Sequence, residues 1–169
     1  MIHYTFYLNF ARYFKPMSEI KRTTSSDAAF QNLVRLLDMD LAIRDGEDHS
    51  FYSQYNKIAD IKHVVVYYTG ALPVACGAFK AFDDKTAEIK RMYVMPDYRG
   101  KGIAGIVLRE LELWAAELNF TACILETGKK QPEAIRLYEK AGYTIIPNYG
   151  QYEGVENSVC MRKEIRTVT

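Results

Sequence analysis

The sequence predicts an α+β fold in which a mixed sheet is built around one strand–helix–strand unit. Three β-branched and aromatic segments, 61–69, 74–82 and 86–95, are separated only by short turns, and such turns join antiparallel strands. A helix-length segment, 102–118, then precedes an apolar strand at 121–126, and a connection of that length makes the flanking strands parallel. The 169 residues, 49% of them hydrophobic, suffice for one domain with a buried core.

The segment before these strands predicts a strand and a pair of helices. Residues 19–24 have the composition of a short strand, and the following Ser25-Ser26-Asp27 supplies side-chain oxygens that cap a helix. This helix is expected to run to Arg44, because apolar residues recur along it at helical spacing: Phe30, Leu33, Val34, Leu37 and Leu41. A second short helix is expected at 50–58, carrying Phe51, Tyr55 and Ile58.

The remaining segments complete the sheet. The helix at 102–118 is expected to bury one stripe of side chains: Ile103, Val107, Leu111, Trp114 and Leu118. Another helix is predicted at 132–141, since proline suits a first helical turn and Gly142 suits a helix end. Strands at 143–146 and 157–165 close the chain, joined by a loop that contains glycine and tyrosine.

Charge and cysteine usage exclude several classes of function. The net charge of +1 gives no electrostatic basis for binding nucleic acid or an anionic membrane surface, and no stretch is long enough to span a membrane. Cys76, Cys123 and Cys160 lie far apart in strand-like segments, which fits neither a zinc site nor a disulfide framework. We expect buried free thiols rather than a catalytic cysteine, a cytoplasmic location and no metal.

Residues 1–16 differ in composition from the single domain predicted at 17–169. They contain six aromatic residues and no acidic one, and they have neither the continuous apolar core nor the cleavage site of a signal peptide. One interpretation is that Met17 is the working initiator. The alternative is a genuine extension whose aromatic side chains pack on the domain or on the second subunit of a homodimer.

The sequence GKGIAG at 100–105 spells the G-x-G-x-x-G of a dinucleotide-binding turn, and Glu126 follows where such a fold places an acid. However, Pro96-Asp97-Tyr98-Arg99 separates the strand from the first glycine, and too few residues follow for a doubly wound sheet. No Gly-Lys-Ser/Thr is present for a P-loop. The small residues still allow an anion to come close to the backbone at a helix N-terminus. Because Arg99 and Lys101 flank this site, it favours a pyrophosphate.

Two motifs in this order make the chain similar to the GCN5-related N-acetyltransferase (GNAT) superfamily over residues 19–165. The first is Arg99-Gly100-Lys101-Gly102-Ile103-Ala104, and the second is Leu137-Tyr138-Glu139-Lys140-Ala141-Gly142-Tyr143. The resemblance implies acetyl-CoA as donor, with its pyrophosphate on the backbone amides of Gly100, Lys101, Gly102, Ile103, Ala104 and Gly105. It also implies that the pantetheine arm lies along Met92, Tyr93 and Val94, with Gln131 at a position that is often asparagine in the superfamily.

The resemblance further implies a direct transfer mechanism without a metal. The amide of Met92 would donate to the thioester oxygen, and Tyr138 would protonate the departing thiolate. Glu88 stands where histone acetylases of the superfamily carry a base, although a glutamate paired with Lys90 on a strand is an equal alternative. Tyr138 could likewise be an ordinary core tyrosine, but the motif around it favours the catalytic interpretation.

An acidic cluster at the end of the first predicted helix bears on the choice of acceptor. The acids Asp38, Asp40, Asp45, Glu47 and Asp48 surround Arg44, which suggests a cationic amine, and Tyr149 in the loop 148–152 could form the opposite wall. A small amine, an amino acid, an antibiotic-like amine, or a protein N-terminus or lysine all remain open. So does a regulatory module that binds acyl-CoA without turnover.

Overall fold

The computed structural model describes residues 17–46, 50, 52, 58–59 and 61–166. The elements with described bounds are three α-helices, two short 3-10 helices and seven strands. Several predictions fall outside this described part: those for residues 1–16, for most of the second helix at 50–58, and for Glu47 and Asp48. The side chain of Asp45 is also outside it. In chain order the elements are β1 (Ser18–Thr23), α1 (Ala28–Asp45), β2 (His63–Thr69), β3 (Leu72–Ala81), β4 (Thr86–Val94), α2 (Ile103–Glu117), β5 (Ala122–Gly128), α3 (Pro132–Lys140), β6 (Thr144–Ile146) and β7 (Ser158–Glu164).

All seven strands form one sheet in the order β1-β2-β3-β4-β5-β7-β6. The pairs from β1 to β4 are antiparallel, β4 and β5 are parallel, and β7 lies antiparallel between β5 and β6. The predicted α+β class, with its antiparallel meander and central parallel pair, is confirmed.

Helices α1 and α2 cover opposite faces of the sheet. Asp27 caps α1, because its carboxylate accepts hydrogen bonds from the backbone N–H groups of Ala29 (2.9 Å) and Phe30 (3.2 Å). One core cluster contains the apolar side of α1: Phe30, Leu33, Val34 and Leu37. A second contains the apolar side of α2: Val107, Leu108, Leu111 and Ala115. Leu118, which we expected in the buried stripe, is 43% exposed, because α2 ends at Glu117.

The two central strands diverge after a short paired segment. In β4 and β5, only the residues from Thr86 to Glu88 pair with those from Ala122 to Ile124. Beyond them, β5 stays paired with β7 as far as Gly128, while no described strand pairs with that side of β4. The backbone edge of β4 up to Val94 is therefore open to a ligand.

A bulge distorts β4 where it borders the opening. Ala78 pairs with Lys90 and Cys76 pairs with Tyr93, so two residues of β4, Arg91 and Met92, oppose Gly77 alone. Arg91 has a φ of 58°, a left-handed conformation that is uncommon outside glycine. The bulge was not predicted from the sequence.

We expect Gly77→Ala to destabilise the fold. An added Cβ at Gly77 would lie too close to Sδ of Met92 and 2.8 Å from Cδ1 of Leu111, so these packed side chains would have to move. Such overpacking costs about 1–3 kcal/mol of the free energy of unfolding, measured by denaturant titration.

Gly105→Ala is the matched control. A Cβ at Gly105, near the start of α2, meets nothing within 4 Å, and alanine has the higher helix propensity. This variant should keep or raise the free energy of unfolding by up to about 1 kcal/mol. Equal stability of the Gly77→Ala and wild-type proteins would contradict the packing argument.

Candidate active site

A cleft of about 450 Å³ opens where β4 and β5 diverge. Its walls come from α1, from the bulged part of β4, from the N-terminus of α2, from the end of β5 and from α3. The cleft therefore brings together the two motifs that are separated in sequence by a helix and a strand.

The start of α2 forms one end of the cleft and presents unsatisfied backbone donors. Gly102 precedes the helix in a left-handed conformation (φ 79°), and no side chain caps the first turn. Gly100 is also left-handed (φ 73°), and a Cβ at either glycine would meet nothing within 4 Å. The N–H groups of the first turn, together with the helix dipole, make this end suitable for an anion.

Most of the residues predicted to bind the donor line the cleft: Met92, Tyr93, Val94, Arg99, Gly100, Gly102, Ile103, Ala104, Gly105, Gln131 and Tyr138. Lys101 is not on the lining. Its ammonium donates to the backbone carbonyl of Asp97 (2.8 Å) and lies 4.9 Å from the ring centroid of Tyr98. The side chain of Lys101 thus stabilises the turn before α2.

Arg99 connects the end of β4 with α1. Its Nε donates to the carbonyl of Val94 (2.9 Å), its Nη2 donates to Asp40 (3.0 Å), and its guanidinium lies 5.6 Å from the ring centroid of Tyr93. These contacts give Arg99 a role in holding the glycine loop against the strand, in addition to its charge at the helix N-terminus.

Tyr138, on α3, is buried and lines the cleft. Burial raises the pKa of its phenol above the ordinary value of 10.0, and the negative charge of Glu126 raises it further. A raised pKa favours the protonated form, so the phenol keeps its proton throughout the neutral range.

Glu88 is placed at the vertex of the cleft but not on its lining. The side chain is 3% exposed and lies 3.0 Å from Nζ of Lys90 and 3.5 Å from Nζ of Lys80. Tyr149 also donates its hydroxyl to Glu88 (3.1 Å), so Tyr149 lies at the vertex and not on a wall of the cleft. The Lys90 pairing that we considered as the alternative for Glu88 is present.

Asp38 and Asp40, the acidic residues of α1 whose side chains the structure describes, are paired with arginines. Asp38 pairs with Arg91 and is not on the cleft lining, whereas Asp40 lines the cleft. Asp40 lies 3.3 Å from Arg44 and 3.0 Å from Arg99. Among the described residues, the α1 wall therefore lacks the uncompensated acidity that suggested a cationic acceptor.

Four charged residues of the cleft lining were not among the predicted site residues: Arg44, Arg91, Glu126 and Glu133. Arg44 and Glu133 pair with each other. Glu126 lies on β5 beyond the point of divergence and accepts a hydrogen bond from Ser158 (2.7 Å). Arg91 lies in the bulge of β4. Sequence analysis considered Glu126 only as a strand-end acid, and nothing in the sequence distinguished Arg91 from a solvated strand residue.

The cysteines are buried free thiols, as the sequence predicts. All three thiols are free and buried, and burial raises the pKa of both Cys76 and Cys123 to about 12, so they stay protonated and unreactive. The part of the chain that the structure describes contains no cluster of potential metal ligands. In the same part, no helix is both long and apolar enough to cross a membrane.

Comparison with known proteins gives one consistent family. The model of the Acetyltransferase (GNAT) family matches residues 30–143. The IAA acetyltransferase of Azospirillum brasilense is 35% identical over 108 residues, which cover 63% of this chain and 69% of that protein. The uncharacterized N-acetyltransferase YsnE of Bacillus subtilis is 33% identical over 92 residues, which cover 53% of this chain and 61% of YsnE.

Solved structures show the same fold. A Klebsiella pneumoniae protein described as an acyl-CoA N-acyltransferase has a TM-score of 0.74 at 25% identity, covering 89% of this chain and 99% of that one. A GNAT acetyltransferase from Elizabethkingia anophelis, solved with acetyl-CoA bound, has a TM-score of 0.65 at 18% identity, covering 88% of this chain and 98% of that one.

We expect the phenol of Tyr138 to ionise at a higher pH than the phenol of an exposed tyrosine. At pH 10 an exposed phenol is half ionised, whereas Tyr138 should remain protonated because burial and Glu126 both disfavour the phenolate. The difference in ultraviolet absorbance between the wild type and Tyr138→Phe should therefore show no phenolate at pH 10. Circular dichroism at the same pH checks that the protein is still folded, and a phenolate signal from the folded protein would contradict the expectation.

Proposed function

Because the chain belongs to the GNAT acetyltransferase family, as its two motifs predicted, we propose that it transfers the acetyl group of acetyl-CoA to the primary amine of a small molecule. One observation carries the proposal. The unpaired edge of β4, the uncapped start of α2 and the phenol of Tyr138 all border one cleft. No other arrangement of described residues offers an anion site, an extended binding edge and a proton donor together.

The donor site follows from the backbone. The first-turn amides at residues 100–105 bind the pyrophosphate, because the helix start is uncapped and the glycines leave the approach open. The free edge of β4 at Met92, Tyr93 and Val94 pairs with the amides of the pantetheine arm as an added strand would. The side-chain amide of Gln131, on the cleft lining, provides a further contact with that arm.

The transfer needs two proton movements. The acceptor nitrogen forms a bond to the thioester carbon, the carbon–sulfur bond breaks, and the nitrogen loses a proton. The N–H of Met92 donates to the developing oxyanion, and Tyr138 gives its proton to the sulfur that leaves. The raised pKa of Tyr138 supports this role, since the acid must still hold its proton at neutral pH.

The base that takes the proton from the amine is a carboxylate of this region. Glu88 is the residue that the resemblance implies, but two lysines and Tyr149 already surround its carboxylate. Glu126 lines the cleft together with Tyr138, and its charge is close enough to raise the pKa of that phenol. We therefore assign the base role to Glu126 and keep Glu88 as the alternative.

Two alternative functions are a module that senses acyl-CoA without turnover and an enzyme that acetylates proteins. A module that senses acyl-CoA would have no use for a phenol that protonates a thiolate, so the buried Tyr138 in the cleft favours turnover. Acetylation of a protein N-terminus or a lysine is the remaining alternative acceptor class. A cytoplasmic location, a homodimer, and the independence of the domain at 17–169 from residues 1–16 stay predictions.

Release of free thiol from acetyl-CoA across a panel of primary amines tests the activity. The wild type should release thiol with at least one amine, and Tyr138→Phe should lower kcat on the order of 10²-fold with little change in the KM for acetyl-CoA. Tyr143→Phe is the matched control, because Tyr143 is buried beside Tyr138 with ring centroids 5.7 Å apart but is not on the cleft lining. If acetyl-CoA protects against unfolding while no amine yields thiol, the sensor interpretation replaces this one.

The pair Glu126→Gln and Glu88→Gln separates the two candidate bases. Glu126→Gln should lower kcat at neutral pH on the order of 10²-fold, and the loss should shrink as the pH rises, because the amine then deprotonates without a base. Glu88→Gln should change kcat by less than about threefold and act mainly on stability, since it leaves two lysines facing an uncharged partner. The reverse pattern would return the base role to Glu88.

A further inference from the structure

The guanidinium of Arg91 has an incomplete set of partners. Its side chain is 3% exposed, and its charge is paired through Nη2 with Asp38, a carboxylate that is itself 48% exposed. Nε of Arg91 is buried and has no hydrogen-bond partner among the described residues. An unpartnered buried N–H of a cation is costly, and such groups are rare unless something else binds them.

The backbone of Arg91 is in a strained conformation. Arg91 keeps a left-handed conformation (φ 58°), which costs an ordinary residue on the order of 1 kcal/mol. In the bulge that contains Arg91, Gly77 on the neighbouring strand leaves room for the side chain of Met92. The same bulge places Arg91 on the cleft lining, directly before the residue whose amide we assign to the thioester oxygen.

The phosphates of the donor are not the missing partner. They belong at the start of α2, whereas Arg91 lies three residues before the end of β4, which is about 10 Å further along the strand. Arg91 instead reaches α1 through Asp38, and the neighbouring α1 residues Leu37, Asp40 and Leu41 line the cleft. This is the wall along which an acceptor would approach the reacting carbon.

We infer that Arg91 binds a carboxylate of the acceptor, so that the substrate class is an amine bearing a carboxylate, as in a free amino acid, and not a simple cationic amine. The inference rests on the proposed function and narrows it. A carboxylate is the planar anion that matches the donors of a guanidinium, and a turn of the Arg91 side chain toward the cleft would let it reach the buried Nε as well. Asp38 would then compete with the substrate carboxylate for the guanidinium.

The test compares each amino acid with partners of similar size that lack the negative charge. Phenylalanine, leucine and lysine are assayed beside their carboxamides and their decarboxylated amines at saturating acetyl-CoA. The wild type should favour the carboxylates by about tenfold or more in kcat/KM, the range expected when a charged hydrogen bond is lost. Arg91→Met should remove this preference by raising the KM for the amino acids, with the carboxamides changed less than about threefold.

Two further variants guard against a purely structural effect. Arg35→Met removes an exposed arginine of α1 that is not on the cleft lining, and it should leave the preference unchanged. Asp38→Asn leaves Arg91 intact but removes the competing protein carboxylate, so it should lower the KM for the amino acids and not for the carboxamides. Circular dichroism checks that each variant is folded.

Binding separates failure of this inference from failure of the proposed function. Titration calorimetry of the same amino acids and carboxamides into the CoA-loaded protein needs no turnover. A preference for carboxylates that disappears in Arg91→Met supports the inference even when no thiol is released. Equal binding and equal turnover of carboxylate and carboxamide in the wild type would overturn it, while thiol release from the carboxamides would leave the acetyltransferase proposal standing.

Discussion

The divergence of β4 from β5 is the constraint on which the rest of the structure depends. Two parallel strands in a sheet normally satisfy each other along their full length, but here the pairing stops at Glu88 and Ile124. β3 pairs with β4 and β7 pairs with β5 on the sides away from the cleft, so beyond this point both strands turn an unpaired backbone edge toward the cleft. The unpaired backbone groups of these edges are left to water until a ligand occupies the cleft.

The bulge in β4 determines which side chains face the cleft. In a regular strand Arg91 would lie on the same face as Ala87 and Ile89, which pack in the α2 cluster. The bulge reverses the alternation, so Met92 packs in that cluster and Arg91 pairs with Asp38 of α1. Gly77 permits the irregularity from the neighbouring strand, since any larger residue would meet Met92. A backbone binding edge and a charged side chain therefore come from adjacent residues, one serving the donor and the other the acceptor in our proposal.

Sequence alone predicted the element order, the antiparallel meander and the parallel pair, because periodicity and turn length are local properties. It also placed the glycine loop and Tyr138, which belong to motifs. It did not predict the bulge, since a register shift depends on Gly77 and Leu111, which are distant in sequence. The expected acidity of α1 was misleading for a similar reason: Asp38 and Asp40 are compensated by Arg91, Arg44 and Arg99 from elsewhere in the chain or one turn away.

The contacts of Glu88 have a mechanical consequence. This carboxylate stands at the last paired residue of β4, and it contacts Lys80 on β3, Lys90 on β4 and Tyr149 in the connection between β6 and β7. It therefore joins the N-terminal and C-terminal halves of the sheet at the point where their backbone hydrogen bonds stop. These contacts of a buried carboxylate tie the sheet together at the vertex of the cleft, so the opening has a braced end before any ligand arrives.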